Sequence, residues 1–298
     1  MRSLSFHGDD VVPSSPDSAL FHILPVPLEE TVSYGGGTAD GPRAILEASR
    51  QLELFDGRSV PADYGLYTAE AMDCSGTIDE SLGRLARKVS GVAARRAVPV
   101  TLGGEHSLTA ACVSAIKEHH RDFGVIQFDA HADLRHSYEG SRNSHASVMR
   151  RIWEMDLPIY QIGTRSYCLE EHHLRQEEGI AHVDAETIWR QGTTAAVLPG
   201  DFPEKVYITF DADCFDVSLM AATGTPVPGG LLWHQVMALL ENIFYDRICL
   251  GFDLVELAPQ PGMHGATFTM AQLAYVIMGY LVRSDINRDF YDITASPG

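Results

Sequence analysis

Three short apolar runs in this chain end on carboxylates and imidazoles, and that pattern narrows the fold more than any other feature. Val125-Ile126-Gln127-Phe128 runs into Asp129-Ala130-His131-Ala132-Asp133. Val206-Tyr207-Ile208-Thr209-Phe210 runs into Asp211-Ala212-Asp213. Val98-Pro99-Val100-Thr101-Leu102 is followed by Gly103-Gly104-Glu105-His106-Ser107. Uninterrupted apolar runs of this length read as strands buried on both faces, the condition of a parallel sheet covered by helices. The period of two in a strand places Asp129, His131 and Asp133 roughly on one side where the strand runs out.

Between the runs lie helical patterns. Phe21–Pro27, Ile159–Ile162, Ile180–Val183 and Ile248–Val255 read as further strands. Helices are expected from Gly41 to Arg50, with Pro42 in the first turn, and over 80–96, 107–119, 144–154 and 169–178. Others are expected from about Ala185 and over 233–244 and 269–281. Residues 214–230 read as a long loop. Strands alternating with helices imply right-handed crossovers and a three-layer α/β/α domain with a parallel sheet. In such sheets ligands bind beyond the carboxyl ends of the strands, where every residue singled out above lies. No break in composition calls for a second domain. Residues 20–298 are therefore expected to form one domain. Residues 1–19, rich in Asp, Pro and Ser from Asp9 to Ser18, are expected to be a flexible arm.

The strand-end residues have a shared chemistry. His106, Asp129, His131, Asp133, Asp211 and Asp213 would be a costly cluster of like charge without cations. Their number suggests two metal ions in one oxygen-rich site. Many carboxylates with a minority of imidazole suit Mn(II) better than a thiolate-loving ion. Two ions about 3.5–4 Å apart can share one water and lower its pKa towards neutrality.

Composition excludes some partners. The formal net charge is −18, whereas a nucleic-acid partner needs a basic face. The same charge is compatible with a small cationic substrate, within a screening length of about 8–10 Å. The five cysteines are scattered, with no Cys-x-x-Cys pair. This fits a reducing cytoplasm rather than a disulfide framework. Residues 1–18 lack the apolar core of a signal peptide. The apolar run 271–281 is too short to span a bilayer and contains Gln272, so no membrane partner is expected.

Five segments then carry a resemblance, and they occur in the family's order. They are Gly103–Ser107, Asp129–Leu134, Phe210–Asp213, Ala222-Thr223-Gly224-Thr225-Pro226 and Gly251-Phe252-Asp253-Leu254-Val255-Glu256. With Asp40-Gly41-Pro42-Arg43-Ala44-Ile45 the chain resembles the ureohydrolases of the arginase/agmatinase family over roughly residues 20–285, and agmatinases most. The resemblance implies an arginase-like fold and a binuclear manganese hydrolase. Such an enzyme converts agmatine to putrescine and urea, a step of polyamine biosynthesis, and works as a homotrimer or homohexamer. It also implies that one Mn(II) binds His106, Asp129, Asp133 and Asp211. The other would bind Asp129, His131, Asp211 and Asp213, with Asp129 and Asp211 shared. A hydroxide between the ions would attack the guanidinium carbon. Glu256 would hold the guanidinium, Asp133 would pass a proton to the leaving amine, and Thr225 would face the substrate. His145 would shuttle protons or touch substrate, with His136 as its competitor.

The chain also departs from that pattern. Ala146 follows His145 where relatives commonly have glycine. Val217 and Ala221 stand where relatives commonly have proline, which leaves the 216–222 conformation and substrate selection open. Agmatine is favoured because Tyr138–His145 resembles agmatinases and Glu139 suits a terminal ammonium. Arg142 would favour a carboxylate if it faced the pocket, though an exposed position is expected. Guanidinobutyrate, guanidinopropionate, arginine and formiminoglutamate are the alternative substrates. A one-metal zinc deacetylase and a non-catalytic metal-binding regulator are the alternatives of other classes. Cys214 is read as space-filling, and His119, His120, His172 and His173 as solvated. His264 is placed in a loop.

Overall fold

In the computed structural model, which describes residues 4–293, all seven apolar runs lie in one eight-stranded sheet. The strands are β1 Phe21–Val26, β2 Leu66–Thr68, β3 Val98–Gly103, β4 Gly124–Phe128, β5 Ile159–Ile162, β6 Ala181–Val183, β7 Lys205–Asp211 and β8 Ile248–Val255. All pairings between them are parallel. Their order across the sheet is β2-β1-β3-β8-β7-β4-β5-β6. The chain first builds outward from β1, then crosses to β4 and builds the other way. β7 and β8 return last and fill the gap between β3 and β4. The carboxyl ends of β3, β8, β7 and β4 therefore stand side by side at the point where the winding reverses.

Side chains alternate between two cores, as the period of two requires. Ile126, Phe128, Ile208 and Phe210 face one core with Ile45, Leu240 and Met270. Val125 and Tyr207 face the other with Leu85, Val89 and Cys112. The helices that supply these residues are α1 Gly41–Ser49, α7 Trp233–Asp246 and α8 His264–Arg283 on the first side. On the second they are α2 Ile78–Ala93 and α3 Thr109–His119, with α4 Val148–Trp153 beside α3. The remaining helices are α5 Leu169–Glu177, α6 Ala185–Gln191 and α9 Asp285–Phe290. Helix α2 shows how local sequence sets a boundary. Thr77 accepts from the Glu80 N–H while the Glu80 carboxylate accepts from the Thr77 N–H. That reciprocal cap starts the helix, and Leu85, Val89 and Val92 then bury one stripe.

Some elements differ from expectation. Strand β2 has three residues at the sheet edge, too few for an apolar run to register. Helix α9 was likewise too short to signal itself. Helix α4 begins four residues later than expected, because His145–Ser147 form a 3-10 turn. Helix α8 begins at His264, five residues early, since its first turn is largely exposed and carries no apolar signal. Its twenty residues are long and apolar enough to cross a bilayer. They instead bury Leu273, Tyr275, Ile277, Met278 and Leu281 in the core.

Of the segment expected as a flexible arm over 1–19, residues 1–3 lie outside the described residues and the rest is docked in part, a correction to that reading. Phe6 and His7 are buried. The Phe6 N–H donates to Thr68 Oγ1 at 3.1 Å and the His7 N–H to Ser49 Oγ at 3.0 Å. The His7 ring packs edge-on against Tyr275, 4.3 Å between centroids. One phenyl ring and one imidazole among polar neighbours were too weak a signal to mark this contact. Burial lowers the His7 pKa to about 4, against a smaller upward pull from Asp10. His7 is thus neutral when folded but takes a proton near pH 6.5 when unfolded. More protons bind to the unfolded chain between those values, so stability falls as pH drops through that window. The Tm difference between about pH 7 and about pH 5 should shrink in His7→Asn. An unchanged difference would refute the assignment.

Candidate metal centre

The end of β3 turns sharply because Gly104 passes against the β1–α1 loop. A Cβ on Gly104 would lie 2.0 Å from the Leu28 carbonyl oxygen, so only glycine fits. The turn brings His106 over the ends of β7 and β4, where it is buried. Its Nε2 lies 2.9 Å from Thr209 Oγ1. Thr209 donates its hydroxyl proton to Asp253 Oδ1 at 2.6 Å, and Tyr207 donates to Asp253 Oδ2 at 2.9 Å. A hydroxyl has one proton, so Thr209 accepts from His106 Nε2–H, and Nδ1 keeps the lone pair in the neutral ring.

That nitrogen has no hydrogen-bond partner. Three carboxylate oxygens surround it, from Asp129 at 3.1 Å, Asp133 at 3.1 Å and Asp211 at 3.3 Å. Lone pairs facing one another in a buried space repel unless a cation lies among them. The donor set therefore fits a divalent ion. A second group lies beside it: His131 Nδ1 is 3.1 Å from Asp213 Oδ2 and 3.6 Å from Asp129 Oδ1. The ligand atoms of His106, Asp129 and Asp133 lie within 4.8 Å of one another, as do those of Asp129, His131 and Asp213. Asp129 belongs to both groups, with Oδ2 towards His106 and Oδ1 towards His131. Asp211 approaches His106 but completes neither trio.

Backbone and amide donors orient these carboxylates. Asp129 Oδ2 accepts from Gln127 Nε2 at 2.7 Å, and Gln127 is held by Gln161 Nε2 at 2.6 Å. Asp211 Oδ1 accepts from the Asp213 N–H at 2.8 Å, and Asp213 Oδ1 from the Ala130 N–H at 3.0 Å. Asp133 and Glu256 hold left-handed backbones, with φ of 52° and 61°, a conformation that non-glycine residues seldom adopt outside over-determined sites. The Met149 and Arg150 N–H groups bind the Asp133 carbonyl, and the Glu256 N–H binds the Gly104 carbonyl. The Glu256 carboxylate accepts from the His106 N–H at 2.6 Å.

The electrostatics show a cluster short of positive charge. Burial, then the Asp129 charge, pushes Asp133 up to about 7. Burial and Asp213 push Asp211 well above the carboxylate range. Burial pushes Glu256 up to about 8. Burial would raise Asp129 too, but His106 and His131 outweigh it and hold Asp129 low. The carboxylates likewise overcome burial at His131, raised to about 12, and at His106. Protons occupy the metal-free cluster where divalent ions would displace them.

A cavity of about 370 Å³ opens onto these groups, within the range of small-molecule sites. Its wall includes His106, His131, Asp133, Asp211, Asp213 and Glu256. His145, Thr225, Arg135 and Tyr34 also line it, whereas His136, Arg142 and His264 do not. Arg142 pairs with Glu154 at 3.0 Å instead. Burial lowers the His145 pKa, so its ring is neutral at physiological pH. Cys214 is buried with its sulfur near Gly163, as a space-filling residue would be.

The loop whose conformation was left open is fixed without the two prolines. Asp216 accepts from the N–H groups of Ser218, Gly229 and Gly230. Arg165 donates to the Asp213 and Val227 carbonyls, both at 2.7 Å. Sequence reasoning missed Arg165, Thr209, Asp253 and Gln127 as supports. A signal did exist for Thr209 and Gln127, since a polar side chain inside a buried strand must have a partner. Thr209→Val removes the acceptor that sets the His106 tautomer while keeping the shape. It should weaken metal binding about 10- to 100-fold, the usual effect of losing an outer partner. Unchanged affinity in a metal titration would show that Thr209 has no such part.

Comparison with known proteins agrees with this geometry. The arginase family profile matches residues 19–279. The N(1)-aminopropylagmatine ureohydrolase of Thermus thermophilus is 38% identical over 261 residues, 86% of this chain and 88% of its own. The agmatinase of Pyrococcus horikoshii is 33% identical, over 88% of this chain and 92% of its own. The crystal structure of the agmatine ureohydrolase of Thermoplasma volcanium superposes with a TM-score of 0.84 at 28% identity, covering 98% of this chain and 96% of the other. The chain belongs to the arginase family. It is a ureohydrolase-class enzyme acting on guanidino C–N bonds.

Proposed function

We propose that the protein is a manganese-dependent ureohydrolase that releases urea from agmatine, leaving putrescine. The observation that carries the reading is the pair of ligand trios sharing Asp129, set against a cavity with Glu256 on its wall. In this reading His106, Asp129, Asp133 and Asp211 hold one ion, and Asp129, His131, Asp211 and Asp213 the other. When bound, such ions supply Lewis acidity and lower the pKa of water towards neutrality.

The chain's own groups do the rest. Glu256 is a buried carboxylate that no lysine or arginine pairs with among the described residues, and a planar guanidinium offers it a bidentate match. Asp133, on the cavity wall, carries a proton to the leaving amine. His145 lines the cavity as a neutral ring and contacts substrate or relays protons. Thr225 shapes the wall beside the loop that bears Tyr34, where the Gly224 backbone passes against Gly35.

A second reading, N1-aminopropylagmatine as substrate, has its own support. The Thermus relative of that name is 38% identical to this chain, against 33% for the Pyrococcus agmatinase. Urea release from agmatine, N1-aminopropylagmatine, guanidinobutyrate and arginine, with Mn(II) present, separates the readings. Agmatine should exceed guanidinobutyrate and arginine by at least about 10²-fold in kcat/KM, the scale set by an unpaired charged group. A preference for N1-aminopropylagmatine over agmatine would select the second reading. Efficient guanidinobutyrate turnover would overturn both and point to Arg135, which lines the cavity over the Tyr138 ring. We further propose a cytoplasmic homotrimer or homohexamer, and a monomer in light scattering at micromolar concentration would contradict that assembly.

A further inference from the structure

Glu105 is fully buried beside the metal centre, yet it points away from the ligand trios and into the loop that follows β1. Its Oε2 accepts from the N–H groups of Glu30 at 2.5 Å and Thr31 at 2.6 Å. Its Oε1 accepts from the hydroxyls of Thr31 at 2.8 Å and Ser107. Glu29 ties down the far side of the same loop through the N–H groups of Gly37 at 2.7 Å and Ala39 at 2.8 Å. The loop is therefore clamped at both ends and carries Val32, Ser33 and Tyr34 on the cavity wall.

Thr31 has a second set of contacts. The His145 backbone N–H lies 3.0 Å from Thr31 Oγ1, and His145 Nδ1 lies 3.3 Å from the same oxygen. Ser144 Oγ is the other neighbour of Nδ1, at 3.4 Å. A carboxylate oxygen only accepts, so the single Thr31 proton goes to Glu105. The Thr31 oxygen is then left as an acceptor, for the His145 backbone N–H and for Nδ1–H. A neutral imidazole carries one proton. With that proton on Nδ1, Nε2 is the ring nitrogen with the free lone pair.

We propose that Thr31, oriented by Glu105, is a positioning residue that sets the ring orientation and tautomer of His145. The inference rests on the reading of His145 as a substrate-contacting or proton-relaying group. Thr31 and Glu105 touch neither substrate nor metal in this account, and act only through His145.

The test uses the full-length enzyme with Mn(II) and the guanidino amine most active in the panel above. Thr31→Val keeps the side-chain shape and removes the hydroxyl. It should lower kcat roughly 10- to 100-fold, a part of the roughly 10²- to 10⁴-fold that a proton-transfer group itself contributes, with KM changed by less than about 3-fold. Metal content and Tm should stay close to wild type. Thr31→Ser restores the hydroxyl and should recover kcat to within about 3-fold. The deciding measurement is a double-mutant cycle with His145→Ala, which reports whether one residue acts through the other. In the His145→Ala background, Thr31→Val should cost less than about 2-fold more. An equal loss in both backgrounds would show that Thr31 acts by another route and would overturn the proposal, as would a Thr31→Val enzyme with wild-type kcat. Full activity in His145→Ala alone would overturn the reading of His145, and this inference with it.

Discussion

Asp129→Asn should abolish nearly all turnover, a larger loss than substitution of any ligand confined to one trio. The substitution preserves size and one oxygen but puts an amide between His106 and His131. Asp129 Oδ2 lies 3.1 Å from His106 Nδ1, and Oδ1 lies 3.6 Å from His131 Nδ1. One change therefore damages both groups of ligand atoms at once. Losing an outer partner costs about 10- to 100-fold, and loss of a shared ligand should exceed that, at about 10³-fold or more in kcat/KM. His106→Asn touches one trio only, and excess Mn(II) should partly restore it. Asp211→Asn should come close to the Asp129→Asn loss, because Asp211 is proposed as a ligand of both ions although it lies in neither trio. Equal and mild losses in the three variants, measured as urea release across a Mn(II) series, would refute the sharing of Asp129.

Glu256→Gln should cost about 10²- to 10³-fold in kcat/KM, chiefly through KM. The amide oxygen can still accept from the His106 N–H, so the turn at the end of β8 is kept. Only the charge that meets the guanidinium is lost. Removing one partner of a buried ion pair costs about 3–5 kcal/mol, and about 1.4 kcal/mol is a decade. Metal content should not change. The Tm of the metal-free protein should rise, because a buried carboxylate without its cation is unfavourable. Wild-type kinetics in Glu256→Gln would remove Glu256 from the substrate site.

What could be read from the sequence follows physical range. The strand ends were legible because an apolar run and the carboxylate beyond it are contiguous. The six residues proposed as ligands lie at or just beyond the carboxyl ends of β3, β4 and β7, and adjacency in the sheet then brings them together. The layering was legible for a similar reason, since alternation of strand and helix leaves little choice of topology. Long-range polar contacts were not legible. Thr31 and His145 are far apart in the chain, and nothing local marks either as the other's partner. Arg165 likewise meets Val227 only after folding, although it explains how residues 214–230 keep their shape without two prolines. Phe6 and His7 failed to stand out because their burial depends on Tyr275, at the other end of the chain. Short edge elements such as β2 owe their form to a neighbouring strand rather than to their own residues.

We propose that the two trios hold catalytic divalent ions for guanidino hydrolysis. The most direct test of that proposal is to strip the protein with a chelator, then titrate Mn(II) while following bound metal and urea release from agmatine and N1-aminopropylagmatine together. No urea release from the stripped protein is expected on either substrate. Activity should return as about two ions bind per chain, the number that paired carboxylate sites take. Full urea release from metal-free protein would contradict it, as would a protein that binds about two ions and releases urea from neither substrate.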